Sequence, residues 1–160
     1  MQGSGNSKLN LLTQEKCREF EHTRSLYLPD DYKHFLMHVL NGGKTVSEQP
    51  VVSIPDQGDT VIMSFLGIGA KDPYNLEQCI WALEGERLPE GMIPIADDPG
   101  GNFFFLDLSN NTPGNVYFFH HDWESNFPPT IENNPSLVFL ANSFTVFLNL
   151  IDCLDGVELI

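Results

Sequence analysis

The chain has 160 residues, of which 41% are hydrophobic, and its formal net charge is -14. This length is typical of one packed domain, and the hydrophobic content argues against a disordered chain. The sequence has no apolar run of the roughly 18 residues that a membrane span requires, and so acidic a surface repels nucleic-acid phosphates. We therefore expect a cytoplasmic domain over residues 9–160, after a flexible polar tail at 1–8, with no nucleic-acid or membrane partner.

The charge is distributed unevenly along the chain. All eight Lys and Arg residues lie at or before Arg87, whereas ten acidic residues follow Leu88. Such an acidic region attracts a basic protein by electrostatic steering. The alternative is that the acidity only keeps the protein soluble.

Two helices are predicted in the first 43 residues. Thr13 is a suitable N-cap for a helix that carries Cys17 and Phe20 inward and ends near Arg24. The second helix opens at Pro29 and is closed by the segment 41–43, Asn-Gly-Gly. Its apolar residues recur at helical spacing: Tyr32, Phe35, Leu36, Val39 and Leu40.

The middle of the chain predicts two strands and a third helix. The strands cover 51–54 and 61–66, on either side of a Pro-Asp-Gln-Gly turn. The helix covers 73–84, with Asp72 as its N-cap and Pro73 at its first position.

The remaining residues predict three strands, over 93–96, 102–108 and 115–121, and a final helix over 137–154. This order of elements indicates an α+β single domain with a largely antiparallel mixed sheet of about five to six strands and helices at both ends. The final helix also carries a second apolar strip, which we interpret as sandwiched against other elements rather than as an exposed binding surface. The strip consists of Phe139, Val146, Leu150 and Cys153.

Candidate metal and cofactor motifs are weak. His120 and His121 are adjacent on a predicted strand and would point to opposite faces, and His34 and His38 lie opposite the apolar face of their helix. Asp72 stands where a dinucleotide loop needs its third glycine. The three isolated cysteines contain no CxxC pair. We expect no metal, no cofactor and no enzyme activity; the alternative is a metal-assisted hydrolase using His121 with Asp122 and Glu124.

Several short segments, in order, resemble the SUKH superfamily. They are Leu28–Leu36 with Asn41-Gly42-Gly43, Phe65–Gly69, Ile95-Ala96-Asp97 with Gly100-Gly101-Asn102, Leu106–Leu108, Gly114 with Val116–Phe118, and Leu140–Phe144 with Phe147-Leu148. This superfamily includes immunity proteins of bacterial toxin systems and a fungal regulator of cell-wall synthesis. The resemblance implies an α+β domain that binds another protein.

The resemblance leads to two hypotheses about function. The first is a non-catalytic immunity-type protein that neutralises a cognate protein toxin of nuclease or deaminase type; the alternative is an intracellular scaffold that binds signalling or cell-wall-assembly proteins. We expect a monomer or weak homodimer that binds its partner through acidic residues and aromatic anchors. The acids are Asp97, Asp98, Asp122 and Glu124, and the anchors are Trp123, Tyr74 and Phe127.

Overall fold

The computed structural model describes residues 11–44, 50–84, 87–109, 113–121 and 136–151. The predicted tail therefore lies outside the described residues. The helices within these ranges are α1 (Gln14–Arg24), α2 (Asp30–His38), α3 (Leu76–Leu83) and α4 (Phe144–Asn149). The strands are β1 (Val51–Ile54), β2 (Gly58–Val61), β3 (Ser64–Phe65), β4 (Met92–Asp97), β5 (Phe103–Asp107), β6 (Val116–Phe119) and β7 (Leu137–Ala141).

The predicted α+β fold is confirmed. Strands β3 to β7 form an antiparallel sheet in the order β3-β4-β5-β6-β7, and β1 and β2 form a separate antiparallel hairpin. Phe104 and Phe105 on the central strand β5 are both fully buried. Because alternate residues of a strand face opposite sides, both faces of this sheet are covered by other residues.

The two predicted N-terminal helices are present. The Thr13 hydroxyl accepts a hydrogen bond from the Lys16 backbone N–H at 3.2 Å, which caps α1 as predicted. Cys17 and Phe20 are buried. The apolar face of α2 packs inward through Tyr32, Phe35 and Leu36.

Helix α2 ends earlier than predicted, at His38 with Val39 as its C-cap, so Leu40 lies outside it. The predicted closing segment 41–43 instead makes a close contact with the loop that follows β3. The buried Asn41 amide donates to the Ile68 carbonyl at 2.9 Å and accepts from the Ile68 N–H at 2.8 Å. A Cβ atom on Gly67 would overlap the Asn41 backbone, so only glycine allows this approach. The contact gives a physical reason for two of the motifs, Asn41-Gly42-Gly43 and Gly67-Ile68-Gly69.

Two predicted boundaries in the middle of the chain are wrong. The predicted strand 61–66 is divided between β2, which ends at Val61, and β3, which begins at Ser64. Helix α3 begins at Leu76, because Asn75 supplies the N-cap by accepting from the Gln78 N–H at 2.7 Å. Asp72 lies before a cis peptide bond to Pro73, in the loop that precedes the helix.

The predicted final helix over 137–154 is also wrong. Residues 137–141 form β7, which pairs with β6, and a short helix begins after Ser143, whose hydroxyl accepts from the Val146 N–H at 3.0 Å. Five consecutive apolar residues fit a buried strand as well as a helix, and the edge of β6 supplies a hydrogen-bonding partner for the strand.

The second apolar strip is not sandwiched. Phe139, Val146 and Leu150 keep 50%, 41% and 43% of their surface exposed, and Cys153 lies outside the described residues. The opposite side of α4 is buried against α2, where the Phe144 ring contacts the Tyr32 ring with centroids 4.9 Å apart.

Candidate protein-binding surface

Four of the seven predicted partner-binding residues lie outside the described residues: Asp122, Trp123, Glu124 and Phe127. The other three are Tyr74, Asp97 and Asp98, and the structure gives each a different environment.

Asp98 is buried and organises a turn. Its Oδ1 accepts from the backbone N–H groups of Gly100 and Asn102 at 3.0 and 2.9 Å, and its Oδ2 accepts from the Thr60 hydroxyl at 2.8 Å. Only 3% of the residue is exposed. The carboxylate therefore satisfies the donors of the Pro-Gly-Gly turn and ties it to β2, which leaves little of the residue for a partner to contact.

Asp97, at the end of β4, is half-buried. Burial raises the pKa of its carboxyl group to about 6; the negative charge of Asp98 also raises it, and hydrogen bonds from Ser64 oppose the rise. Among the described residues no group donates to the buried Asp97 Oδ1. The charged form of this side chain is therefore held in an unfavourable environment near neutral pH.

Tyr74 is half-buried in the loop before α3, where its carbonyl accepts from the Gly67 N–H at 2.8 Å. Asp97 pairs with Ser64 of β3, which lies three residues before Gly67 in the chain. Tyr74 and Asp97 therefore contact different positions of the segment 64–67.

The histidines are arranged differently from the prediction. Strand β6 ends at Phe119, and the rings of His120 and His121 stack with centroids 6.1 Å apart. Asn102 Nδ2 donates to Asp98 at 3.0 Å, so Asn102 Oδ1 faces His121 and accepts from its Nδ1 at 2.7 Å. The residues that the structure describes contain no group of three or more potential metal ligands.

Basic residues are concentrated on fewer elements than acidic residues. Four of the eight basic residues lie on the first two helices: Lys16, Arg18, Arg24 and Lys33. Exposed carboxylates occur on the β1–β2 hairpin and around α3, at Asp56, Asp59, Asp72, Glu84 and Glu90. The first two helices also carry exposed carboxylates, at Glu15, Glu19 and Asp30, so both signs of charge occur there.

Two exposed aromatic residues were missed by the sequence analysis. Trp81 on α3 is 76% exposed, and Tyr27 in the α1–α2 loop is 84% exposed. The exposure of Trp81 could have been predicted from the sequence, because Trp81 does not share the helical spacing of the residues that face the core. Those residues are Leu76, Ile80 and Leu83. Tyr27 adjoins the buried Leu28, and nothing in its immediate sequence distinguishes it from a core residue.

The fold and this surface define an acidic α+β domain with exposed aromatic side chains. The family model for the SMI1 / KNR4 family (SUKH-1) matches residues 11–150. A relative from Bacillus subtilis (strain 168), the "SPbeta prophage-derived uncharacterized protein YokK", is 31% identical over 151 residues, covering 85% of this chain and 72% of the relative. The chain therefore belongs to the SUKH-1 family. None of the helices in the described ranges is long and apolar enough to cross a membrane.

Proposed function

We propose that this chain is a non-catalytic immunity-type protein that acts in the cytoplasm by binding and neutralising a cognate basic toxin. Membership of the SUKH-1 family carries the proposal. The net charge of -14 indicates that the partner is basic, because an acidic protein associates fastest with a basic one. Nuclease and deaminase toxins agree with a basic partner, since proteins that bind nucleic acid present Lys and Arg to its phosphates.

Two of the candidate contacts, Tyr74 and Asp97, adjoin the segment 64–67, and exposed carboxylates occur around α3 and on the β1–β2 hairpin. The predicted residues Asp122, Trp123, Glu124 and Phe127 follow His121, which is fixed to the Asp98 turn through Asn102. We propose that these groups bind the toxin and occlude its active site or substrate groove.

The test is titration of the purified protein with the toxin encoded by a neighbouring gene. We expect a 1:1 complex, loss of toxin activity, and an association rate that falls steeply as salt is added. Binding that leaves the toxin active, or a gene surrounded only by housekeeping genes, would favour the regulatory scaffold. Salt-independent binding would contradict the role of the acidic surface.

A further inference from the structure

Helix α3 presents a tryptophan to solvent on the side opposite its core contacts. Leu76, Ile80 and Leu83 are buried, whereas Trp81 is the second most exposed of the large hydrophobic residues in the described ranges. Tryptophan is over-represented among the residues that contribute most to protein–protein binding, because it buries a large area with few rotatable bonds. The buried residues of α3 anchor the helix, so the backbone from which the Trp81 side chain extends is held in place.

The neighbouring loop presents a second aromatic residue. The Leu26 N–H donates to the Glu21 carbonyl at 3.1 Å, and the Leu28 N–H donates to Glu21 Oε2 at 2.7 Å. These hydrogen bonds fix the backbone on both sides of Tyr27. A side chain presented from a fixed backbone loses less conformational entropy on binding than one on a mobile loop.

An ion pair joins the two elements. Arg24 Nη1 lies 3.6 Å from Glu84 Oε2, which brings the end of α1 beside the end of α3. The Glu84 side chain is 57% exposed, so the pair contributes little to stability, and another cation can replace Arg24 at low cost. Glu77, one turn before Trp81, is held in place because its Oε1 accepts from the Gly69 N–H at 3.0 Å.

From this arrangement we infer that a basic protein partner docks on the Trp81 surface, meaning Trp81, Tyr27, Glu77 and the Arg24–Glu84 ion pair. An arginine of the partner stacks on the indole ring and pairs with Glu84 or Glu77. The ring face attracts a cation, and Glu77 and Glu84 lie four residues before and three residues after Trp81, so aromatic and charged contacts favour the same partner group. The inference rests on the proposed function and locates its contact region on a helix that the predicted site did not include.

The first test measures whether an arginine-rich peptide binds at Trp81. Trp123→Phe leaves Trp81 as the only tryptophan, and its emission is followed as an arginine-rich synthetic peptide is added. We expect a saturable change that weakens with salt and is absent with a matched peptide carrying glutamate at each arginine position. By calorimetry, Trp81→Ala and Glu84→Gln each weaken peptide binding, Trp81→Ala by about tenfold.

The matched control is Phe139→Ala, which removes a half-exposed aromatic side chain from β7, outside the Trp81 surface. It should leave peptide binding unchanged. The inference is overturned if Trp81 emission does not respond to the arginine peptide, responds equally to the glutamate peptide, or if Phe139→Ala weakens binding as much as Trp81→Ala. It is also overturned if the emission changes with the protein's own concentration alone, because the occupant is then a second copy.

A second test separates this inference from the proposed function. Toxin inhibition that Trp81→Ala weakens and Phe139→Ala does not supports docking on the Trp81 surface. Inhibition lost in Trp123→Ala but retained in Trp81→Ala overturns the docking site and leaves the immunity function intact. Failure of the unmodified chain to inhibit the toxin, with peptide binding as expected, rejects the immunity function alone.

Discussion

At the scale of single residues, Asp97 is a carboxyl group whose charge reduces stability. Its pKa is about 6 in the fold, against 3.8 for an ordinary aspartate, because burial disfavours the charged form. The folded state therefore holds the proton more tightly than the unfolded chain. The resulting stability is fully present below pH 3.8 and is lost as the pH rises through about 6.

We predict that Asp97→Asn stabilises the protein by about 1–3 kcal/mol at pH 7.5, because the amide carries no charge to bury. This gain should shrink as the pH falls from 6 toward 4, where the native carboxyl also becomes neutral. Urea unfolding of both proteins across this range measures the difference. Asp59→Asn, at an exposed carboxylate, should change stability by less than about 0.5 kcal/mol at either pH. A destabilised Asp97→Asn at pH 7.5 would contradict the argument.

Gly67 gives a second prediction at this scale. Any Cβ there overlaps the Asn41 backbone, so Gly67→Ala must separate two segments joined by both hydrogen bonds between Asn41 and Ile68. We expect a loss of about 3 kcal/mol or more, measured by chemical unfolding, or failure to fold.

Gly69→Ala is the matched control for this prediction. Gly69 has φ +69° but open space around its Cβ position, so alanine there carries only backbone strain of about 1 kcal/mol. Equal losses in the two variants would show that steric overlap at Gly67 is not the cause.

The same residues show the extent to which the site could be predicted. The Asp-Asp-Pro-Gly-Gly turn was evident in the sequence, but the direction of each carboxylate was not. Asp98 accepts hydrogen bonds from its own turn and also from Thr60, 38 positions earlier in the chain. Contacts between such distant residues depend on tertiary packing, which neither composition nor spacing reveals.

At the scale of elements, helices with local capping signals were predicted well and apolar segments poorly. Thr13 marked the start of α1 and Pro29 the start of α2, whereas α2 ends at His38, before the Asn-Gly-Gly segment that was predicted to close it. Residues 137–141 are apolar throughout, so their spacing fits both a helix and a strand, and pairing with β6 decides for the strand. At the start of α3 two capping candidates compete, and Asn75 rather than Asp72 makes the hydrogen bond.

Asp31 is expected to stabilise two helices at once. It lies in the first turn of α2, and its Oδ2 accepts from the backbone N–H and the hydroxyl of Thr145, in the first turn of α4, at 2.9 and 2.8 Å. A carboxylate at two helix N-termini interacts favourably with both dipoles. Asp31→Ala should therefore cost about 1–3 kcal/mol in the free energy of unfolding.

The neighbouring Asp30 provides the control, because it is an exposed residue in the same turn of α2. Asp30→Ala should cost less than about 1 kcal/mol, since it loses only the dipole interaction and a weak attraction to Lys33. A double-mutant cycle of Asp31→Ala with Thr145→Ala should give a coupling energy of about 1 kcal/mol. Additive effects would mean that the hydrogen bond between Asp31 and the Thr145 hydroxyl contributes nothing to stability.

At the scale of the whole molecule, the net charge that attracts a basic partner also opposes folding. Eight basic residues face 22 acidic ones, so the compact state holds many like charges within the range of unscreened repulsion. Repulsion of this kind is reduced by salt. Salt should therefore weaken the binding of a basic partner. It should at the same time increase the stability of the free protein.

We predict that the melting temperature rises when NaCl is increased from about 10 mM to about 150 mM, which shortens the Debye length from about 30 Å to about 8 Å. Each kcal/mol of repulsion relieved should raise it by about 2–4 °C for a chain of this size. Differential scanning calorimetry measures the shift, and sodium bromide at the same ionic strength is the control. Screening depends on ionic strength and not on the anion, so both salts should raise the melting temperature equally.

Two outcomes would contradict the prediction. A rise with chloride alone would indicate a specific ion effect. No rise with either salt would mean that the carboxylates are too far apart to repel one another appreciably. A protein that becomes more stable in salt while its complex becomes weaker would have the energetics expected of an acidic binding domain.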